Sequence, residues 1–252
     1  MKINFIGGPN QGKTWLMKVA QTGNVPGGRL NRTSAAEENV KVYLIPENGE
    51  IDANANTGGG GSNAVVMHTW NIPGQNWRLY ENSPSFFRSS EAAVVIIACA
   101  EFEEEEDDGG YMPITAAKAL INASRKFASN APIFLCLSKC DQLRGYNKGK
   151  TVLNPVDTKV KNENGKIFQK AEQFVKDHKL QRTIVCTSAV DKNGISKLFS
   201  EIYNAICLAR EKSLRAKSES ASPEPVRNTN PLKLNMAHEE KKQTGGCPCK
   251  SG

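Results

Sequence analysis

No apolar run in the chain approaches the roughly 20 residues that a membrane helix needs. The longest, AAVVIIACA from Ala92, is about half that length. The N-terminal MKINFIGGP lacks the apolar core and small-residue cleavage site of a signal peptide. A cytoplasmic protein is therefore expected. The seven cysteines are odd in number and scattered without metal-ligand spacing, which fits a reducing compartment. The exception is a CPC near the end. Basic residues are not interleaved with aromatics, and no helix-turn-helix pattern occurs, so no nucleic-acid partner is expected. No internal repeat is present.

What is there suits one well-buried domain and a tail. Hydrophobic residues make up 38% of the 252-residue chain and charged residues 23%. Mean hydropathy is −0.48. The formal net charge is +7, unevenly spread: EFEEEEDDGG from Glu101 is acidic, and Arg144 to Arg182 is rich in lysine. Both read as solvated loops and helix faces. The basic surplus also suits an anionic membrane surface.

Short apolar runs alternate with helical patterns. INFIG, NVKVYLI, NAVVMHTW, AAVVIIACA, PIFLCLS and RTIVCTS read as six strands. KTWLMKVAQTG, ITAAKALINASRKFAS, GKIFQKAEQFVKDHK and ISKLFSEIYNAICLAREKSLRAK read as helices. Continuous apolar strands between helices imply a doubly wound α/β fold, with a mostly parallel sheet covered on both faces. The glycine-rich stretch at about 46–63 is a long loop between the second and third strands. From Ser218 the chain turns to Ser, Pro, Lys and Asn and is expected to be disordered to residue 252. The expected organisation is a domain over 1–217 and a tail over 218–252.

The stretch Gly7-Gly8-Pro9-Asn10-Gln11-Gly12-Lys13-Thr14 fits G-x-x-x-x-G-K-[ST]. A chain of this length meets that pattern by accident roughly once in a hundred. Here it follows a strand and opens the helix that begins at Lys13, as a phosphate cradle requires, and Trp15 just after the pattern is a further candidate nucleotide-binding residue. Backbone N–H groups and the helix N-terminus would hold phosphate oxygens. Lys13 would neutralise the β- and γ-phosphates, and the Thr14 hydroxyl would ligate Mg²⁺. Pro9 has no N–H, so one donor is missing.

WNIPGQ follows the third strand, and LSKCD and CTSAV end the fifth and sixth. With the phosphate loop, these in this order resemble the Ras-like small GTPases, the Rab branch most closely. SPSFFRSSEAAVVII resembles the segment after the second Rab switch. The resemblance covers residues 1 to about 212, loops excepted. It implies a P-loop NTPase fold of the Ras type, GTP/GDP and Mg²⁺ as ligands, and slow GTP hydrolysis in vesicle traffic. In SKCD, the Asp141 carboxylate would accept two hydrogen bonds from the guanine edge, which adenine lacks. The stem of Lys139 would lie over the base. In TSAV, between Ser188 and Val190, the Ala189 N–H would meet guanine O6. Gln75, after Gly74, resembles the glutamine that orients the attacking water.

The pattern also departs from that family. Asn71 stands where the family has a metal-holding aspartate, so metal affinity should fall. Ser138 replaces an asparagine, thinning the bonds between the base loop and the phosphate loop. Thr33, with Ser34 as rival, is the candidate threonine for Mg²⁺ and the γ-phosphate. The surrounding sequence does not otherwise look like a Rab effector-binding switch. Exchange factors, activating proteins and effectors are implied, but their identities do not carry over. Two rivals follow: a pseudo-GTPase acting as a binding module, and an ATP-using P-loop enzyme, against which Asp141 argues.

The chain ends TGGCPCKSG. Beside a Rab-like domain, Cys247 and Cys249 resemble a geranylgeranylation pair, implying peripheral attachment to a membrane. Two lipid chains anchor stably where one is marginal. A metal-binding pair and plain exposed thiols are the alternatives. Neither the acidic run nor the glycine-rich insert is expected at the nucleotide pocket.

Overall fold

The computed structural model describes residues 1–28, 35–44, 64–103 and 112–220. In chain order it has β1 (Lys2–Ile6), α1 (Lys13–Thr22), β2 (Glu37–Leu44), β3 (Ala64–Asn71), α2 (Trp77–Glu81), α3 (Pro84–Phe87), β4 (Ala92–Ala98), α4 (Met112–Phe127), β5 (Ile133–Ser138), α5 (Thr158–Glu163), α6 (Gly165–Asp177), β6 (Ile184–Cys186) and α7 (Ile195–Ser220). Met1–Ser213 form one compact unit. The last turns of α7 run past it to Ser220, beyond the Lys217 boundary expected from composition. Residues 221–252, and with them Cys247 and Cys249, lie outside the described residues.

The six strands lie in the order β2-β3-β1-β4-β5-β6. Only β2 and β3 pair antiparallel; the other pairs are parallel. The fold is therefore α/β, with a mostly parallel six-stranded sheet flanked by helices, as expected. Every residue of β4 and of β5 is buried, because helices cover both faces and leave no wet side.

Alternate residues divide between two cores. Val94 and Ile96 join Leu16 and Val19 of α1 and Leu198, Phe199 and Ile202 of α7. Val95 and Ile97 join Leu120 and Ile121 of α4 and Phe168 and Phe174 of α6. On α7 the core residues Ile195, Leu198, Phe199, Ile202 and Ile206 recur at helical spacing, which pins one stripe to the sheet. Phe199 is fully buried and its ring lies 6.0 Å from that of Phe5. Emptying such a position costs about 3–5 kcal/mol.

Sequence patterning missed α2, α3 and α5. Each is four to six residues long, under two turns, and shows no resolvable 3.6-residue period. The parallel strands all point their carboxyl ends the same way, so the loops after β1, β3, β5 and β6 meet at one pole.

Candidate functional site

The loop from Gly7 to Gly12 joins β1 to α1. Gly7 has φ +144°, and a Cβ there would strike the Ile96 carbonyl. Gly74 faces the same loop: its Cβ would collide with the Gly8 carbonyl. Only glycine lets these two backbones approach so closely. Asn10 and Gly12 turn through positive φ, 61° and 83°. The chain thereby curls so that the Gly7 and Gly8 carbonyls receive the Lys13 ammonium at 2.9 and 2.6 Å. Lys13 is only 6% exposed. Burial lowers its pKa to about 7, since no anion among the described residues offsets the lost hydration.

Parallel pairing sets Asn71, the end of β3, beside Phe5 of β1. The Asn71 amide then donates to the Thr14 hydroxyl at 3.0 Å. Pro73 and Gly74 are buried and Gln75 is exposed at the rim.

The loop after β5 closes the other end. The Ser138 hydroxyl donates to the Gln11 carbonyl at 2.6 Å, so this position does tie the two loops together. Lys139 turns through φ 56°. Asp141 sits in a 3-10 turn, Cys140–Gln142, and accepts from the Ser188 hydroxyl at 2.8 Å. The same hydroxyl accepts from the Asp191 N–H at 3.3 Å. The Cys140 N–H donates to the Thr187 carbonyl at 3.1 Å. Behind this turn lie buried thiols. The Cys99 thiol is pushed well up by its neighbour Cys140 and by burial. Cys136 is pushed up to about 12 by burial. Neither acts as a thiolate.

These segments enclose one cavity of about 600 Å³. Pro9 through Thr14 and Trp15 line one end, Asn71, Gly74 and Gln75 a side, and Ser138, Lys139, Asp141, Ala189 and Val190 the other end. Asp141 is the only carboxylate among these lining residues, and Lys13 and Lys139 are the ammonium groups. The sequence-predicted residues thus come together from four separate segments. Gly7 and Gly8 support Lys13 from outside the lining, and Ser188 supports Asp141 in the same way. Thr33 and its rival Ser34 lie outside the described residues. Pro73, Gln142 and Thr187 also line the cavity and were missed, because each is only a neighbour of a motif residue.

Gln11 does more than its place in the glycine-rich pattern implied. It is buried, and its amide oxygen accepts from the Ala98 N–H at 2.7 Å. Its amide nitrogen donates to the Pro9 carbonyl and to the Glu101 carboxylate, both at 2.9 Å. Most of the acidic run, residues 104–110, lies outside the described residues, yet its first glutamate, Glu101, is bonded to the loop that forms the cavity. Among the described residues no group of three His, Cys, Asp or Glu side chains could hold a metal, and no helix is long and apolar enough to cross a membrane.

At one end the cavity thus offers an ammonium, a hydroxyl and a helix N-terminus to an anion. At the other it offers a carboxylate to a donor edge. No protein-family model matches the chain, and no curated protein matches it.

Proposed function

We propose that the chain is a Ras-like small GTPase, nearest the Rab type, that binds guanine nucleotide and hydrolyses GTP slowly. One observation carries this reading: the phosphate-loop lysine and the base-selecting carboxylate, 128 residues apart in sequence (141 − 13), line the same cavity of about 600 Å³. A P-loop NTPase fold of the Ras type accounts for the sheet order, the loop after β1 and the glycine contacts together.

In this reading the loop backbone and the N-terminus of α1 bind the phosphates. Lys13 exchanges two carbonyl partners for phosphate oxygens and regains its full charge. Asp141, held by Ser188, accepts from the guanine N1–H and N2–H₂ donors. Lys139 covers the base, and the Ala189 N–H meets its carbonyl. Gln75, exposed at the rim, orients the attacking water. Thr14 and Asn71 fit Mg²⁺ only together with nucleotide, since both offer neutral oxygens and the phosphates must supply the negative charge. When bound, Mg²⁺ would neutralise charge on the phosphate oxygens. Thr33 is the proposed additional ligand. The cysteines Cys247 and Cys249 are proposed to carry prenyl groups that hold the protein on the cytosolic face of a membrane in vesicle traffic.

A second reading is favoured by the Asn71–Thr14 bond. An amide donor aims at the hydroxyl where a metal-holding carboxylate would accept from it. A binding module with negligible turnover follows if that corner fails. Chromatography of the bound nucleotide and single-turnover hydrolysis with and without Mg²⁺ separate the readings. GDP in the purified protein and Mg²⁺-dependent hydrolysis mean a working GTPase. Persistent GTP means the binding module. Equal competition by ATP overturns both.

A further inference from the structure

A second cavity, of about 330 Å³, opens at the pole where β5 and β6 begin. Its floor includes Ile133, whose carbonyl accepts from the Gln181 N–H at 2.8 Å. Arg125 of the last turn of α4, Lys179 just after α6, and Lys212 of α7 line it, with no Asp or Glu among the lining residues. None of these three cations has an ion-pair partner among the described residues.

The ordinary role of such cations is to balance helix C-termini. Two helices, α4 and α6, end here, each worth about half a negative charge. Three full positive charges on the lining exceed that, even with Asp177 ending α6. His178, next to Lys179, has its pKa lowered first by burial, then by Lys118 and Arg125, against the opposing Asp177. Lys179 also holds φ 44°, the left-handed position after a helix where glycine is usual. At this position a lysine, unlike a glycine, carries backbone strain. Asn130 and Gln181 add neutral donors at the rim, and Leu208, 56% exposed, adds an apolar edge.

We propose that this cavity binds the phosphate-bearing headgroup of an anionic phospholipid. Clustered cations, amide donors and an apolar edge match a phosphate with a glycerol and acyl chain above it. A lipid is preferred to an acidic peptide because the chain leaves this unit at Ser213, one residue after Lys212. The tail that follows carries Cys247 and Cys249. That preference rests on the proposed lipid anchor.

The test uses the full chain made without lipid attachment. Flotation with phosphatidylcholine vesicles, with and without a phosphatidylinositol phosphate, is expected to show binding to the anionic vesicles alone. Each neutralised cation weakens it about fivefold, and all three together roughly a hundredfold. The combined variant Arg125→Gln, Lys179→Gly, Lys212→Gln suits the backbone at residue 179 and so keeps the fold, checked by its melting temperature. Neutralising the exposed Lys150, Lys159 and Lys166 outside the cavity removes the same charge and should leave binding within about twofold. Equal loss in both variants, or binding of neither vesicles nor soluble inositol phosphate by the parent chain, overturns the site. Binding of soluble inositol phosphate without vesicle binding overturns the lipid as occupant. Failure of the anchor is read separately, as unchanged membrane partitioning of Cys247→Ser/Cys249→Ser in cells.

Discussion

The two ends of the large cavity are built to different standards. At the Asp141 end a charged acceptor is fixed by Ser188, which is itself fixed by the Asp191 N–H, while Thr187 holds the turn from below. At the Asn71 end the partners are an amide and a hydroxyl, with no carboxylate among the lining residues on that side. If the proposed function holds, base recognition needs a preorganised acceptor, which the first end has, and metal handling needs negative charge, which the second end lacks among its lining residues. On that proposal the difference separates holding a nucleotide from turning it over.

The strong end depends most on Asp141. Asp141→Asn replaces one carboxylate that accepts two bonds. Hydrogen bonds to a charged group are worth about 1.5–3 kcal/mol each. The preference for GTP over ATP should fall by about 10²–10⁴ in competition binding. An unchanged preference would remove Asp141 from base recognition.

Lys13 gives the next largest effect, because its pKa of about 7 lies far below the ordinary value for lysine. Between about pH 7 and 10.4 the unfolded chain binds more protons at this residue than the folded chain. The stability of nucleotide-free protein should therefore rise with pH across that window, by up to about 1.4 kcal/mol per unit, and flatten below pH 7. Lys13→Met should abolish the slope in denaturant titrations. Nucleotide has the opposite preference, since phosphate favours the ammonium. Binding at pH 8–9 should take up close to one proton, seen as a calorimetric enthalpy that changes with the buffer's ionisation enthalpy.

At the weak end, Asn71→Asp should sharpen the contrast by removing it. The carboxylate would accept from the Thr14 hydroxyl and add a negative charge. Mg²⁺ should then support nucleotide binding at about tenfold lower concentration, with faster single-turnover hydrolysis. If Mg²⁺ dependence does not change, the asparagine is not what weakens this corner.

The chain order of these parts explains what could be read in advance. Eight consecutive residues, Gly7 to Thr14, make the glycine-rich pattern, so it is complete in one stretch of sequence. Strands β4 and β5 were legible because both their faces are buried, leaving apolar runs with no alternation. The cavity's far end draws on residues around 138–142 and 187–190, which only the β5–β6 pairing brings together. It was legible through resemblance, not spacing. The short helices α2, α3 and α5 carry too few turns for a period. The Gln11 side chain was the hardest to foresee. Nothing local distinguishes a glutamine that faces ligand from one that turns inward to β4.

That inward turn supplies the smallest effect, and it tests whether the strong end stands alone. Glu101 is part-exposed and contributes one bond to Gln11, whereas the Ala98 N–H bond is buried. Gln11→Leu would leave the Ala98 donor unpaired, at a cost of about 1–3 kcal/mol in folding stability. Glu101→Ala should cost no more than about 1 kcal/mol of stability, because the amide nitrogen keeps the Pro9 carbonyl. It loosens the loop from β4 by about 1 kcal/mol, so nucleotide should leave about fivefold faster in stopped-flow release. The Asp141 end lies across the cavity and is joined to this anchor by the Ser138–Gln11 bond and by the Ala98–Ser138 strand pairing, neither of which involves Glu101. GTP over ATP preference should therefore stay the same in Glu101→Ala while release accelerates. A variant that lost both would show the two ends to be one mechanical unit, and the separation of holding from turnover would have to be given up.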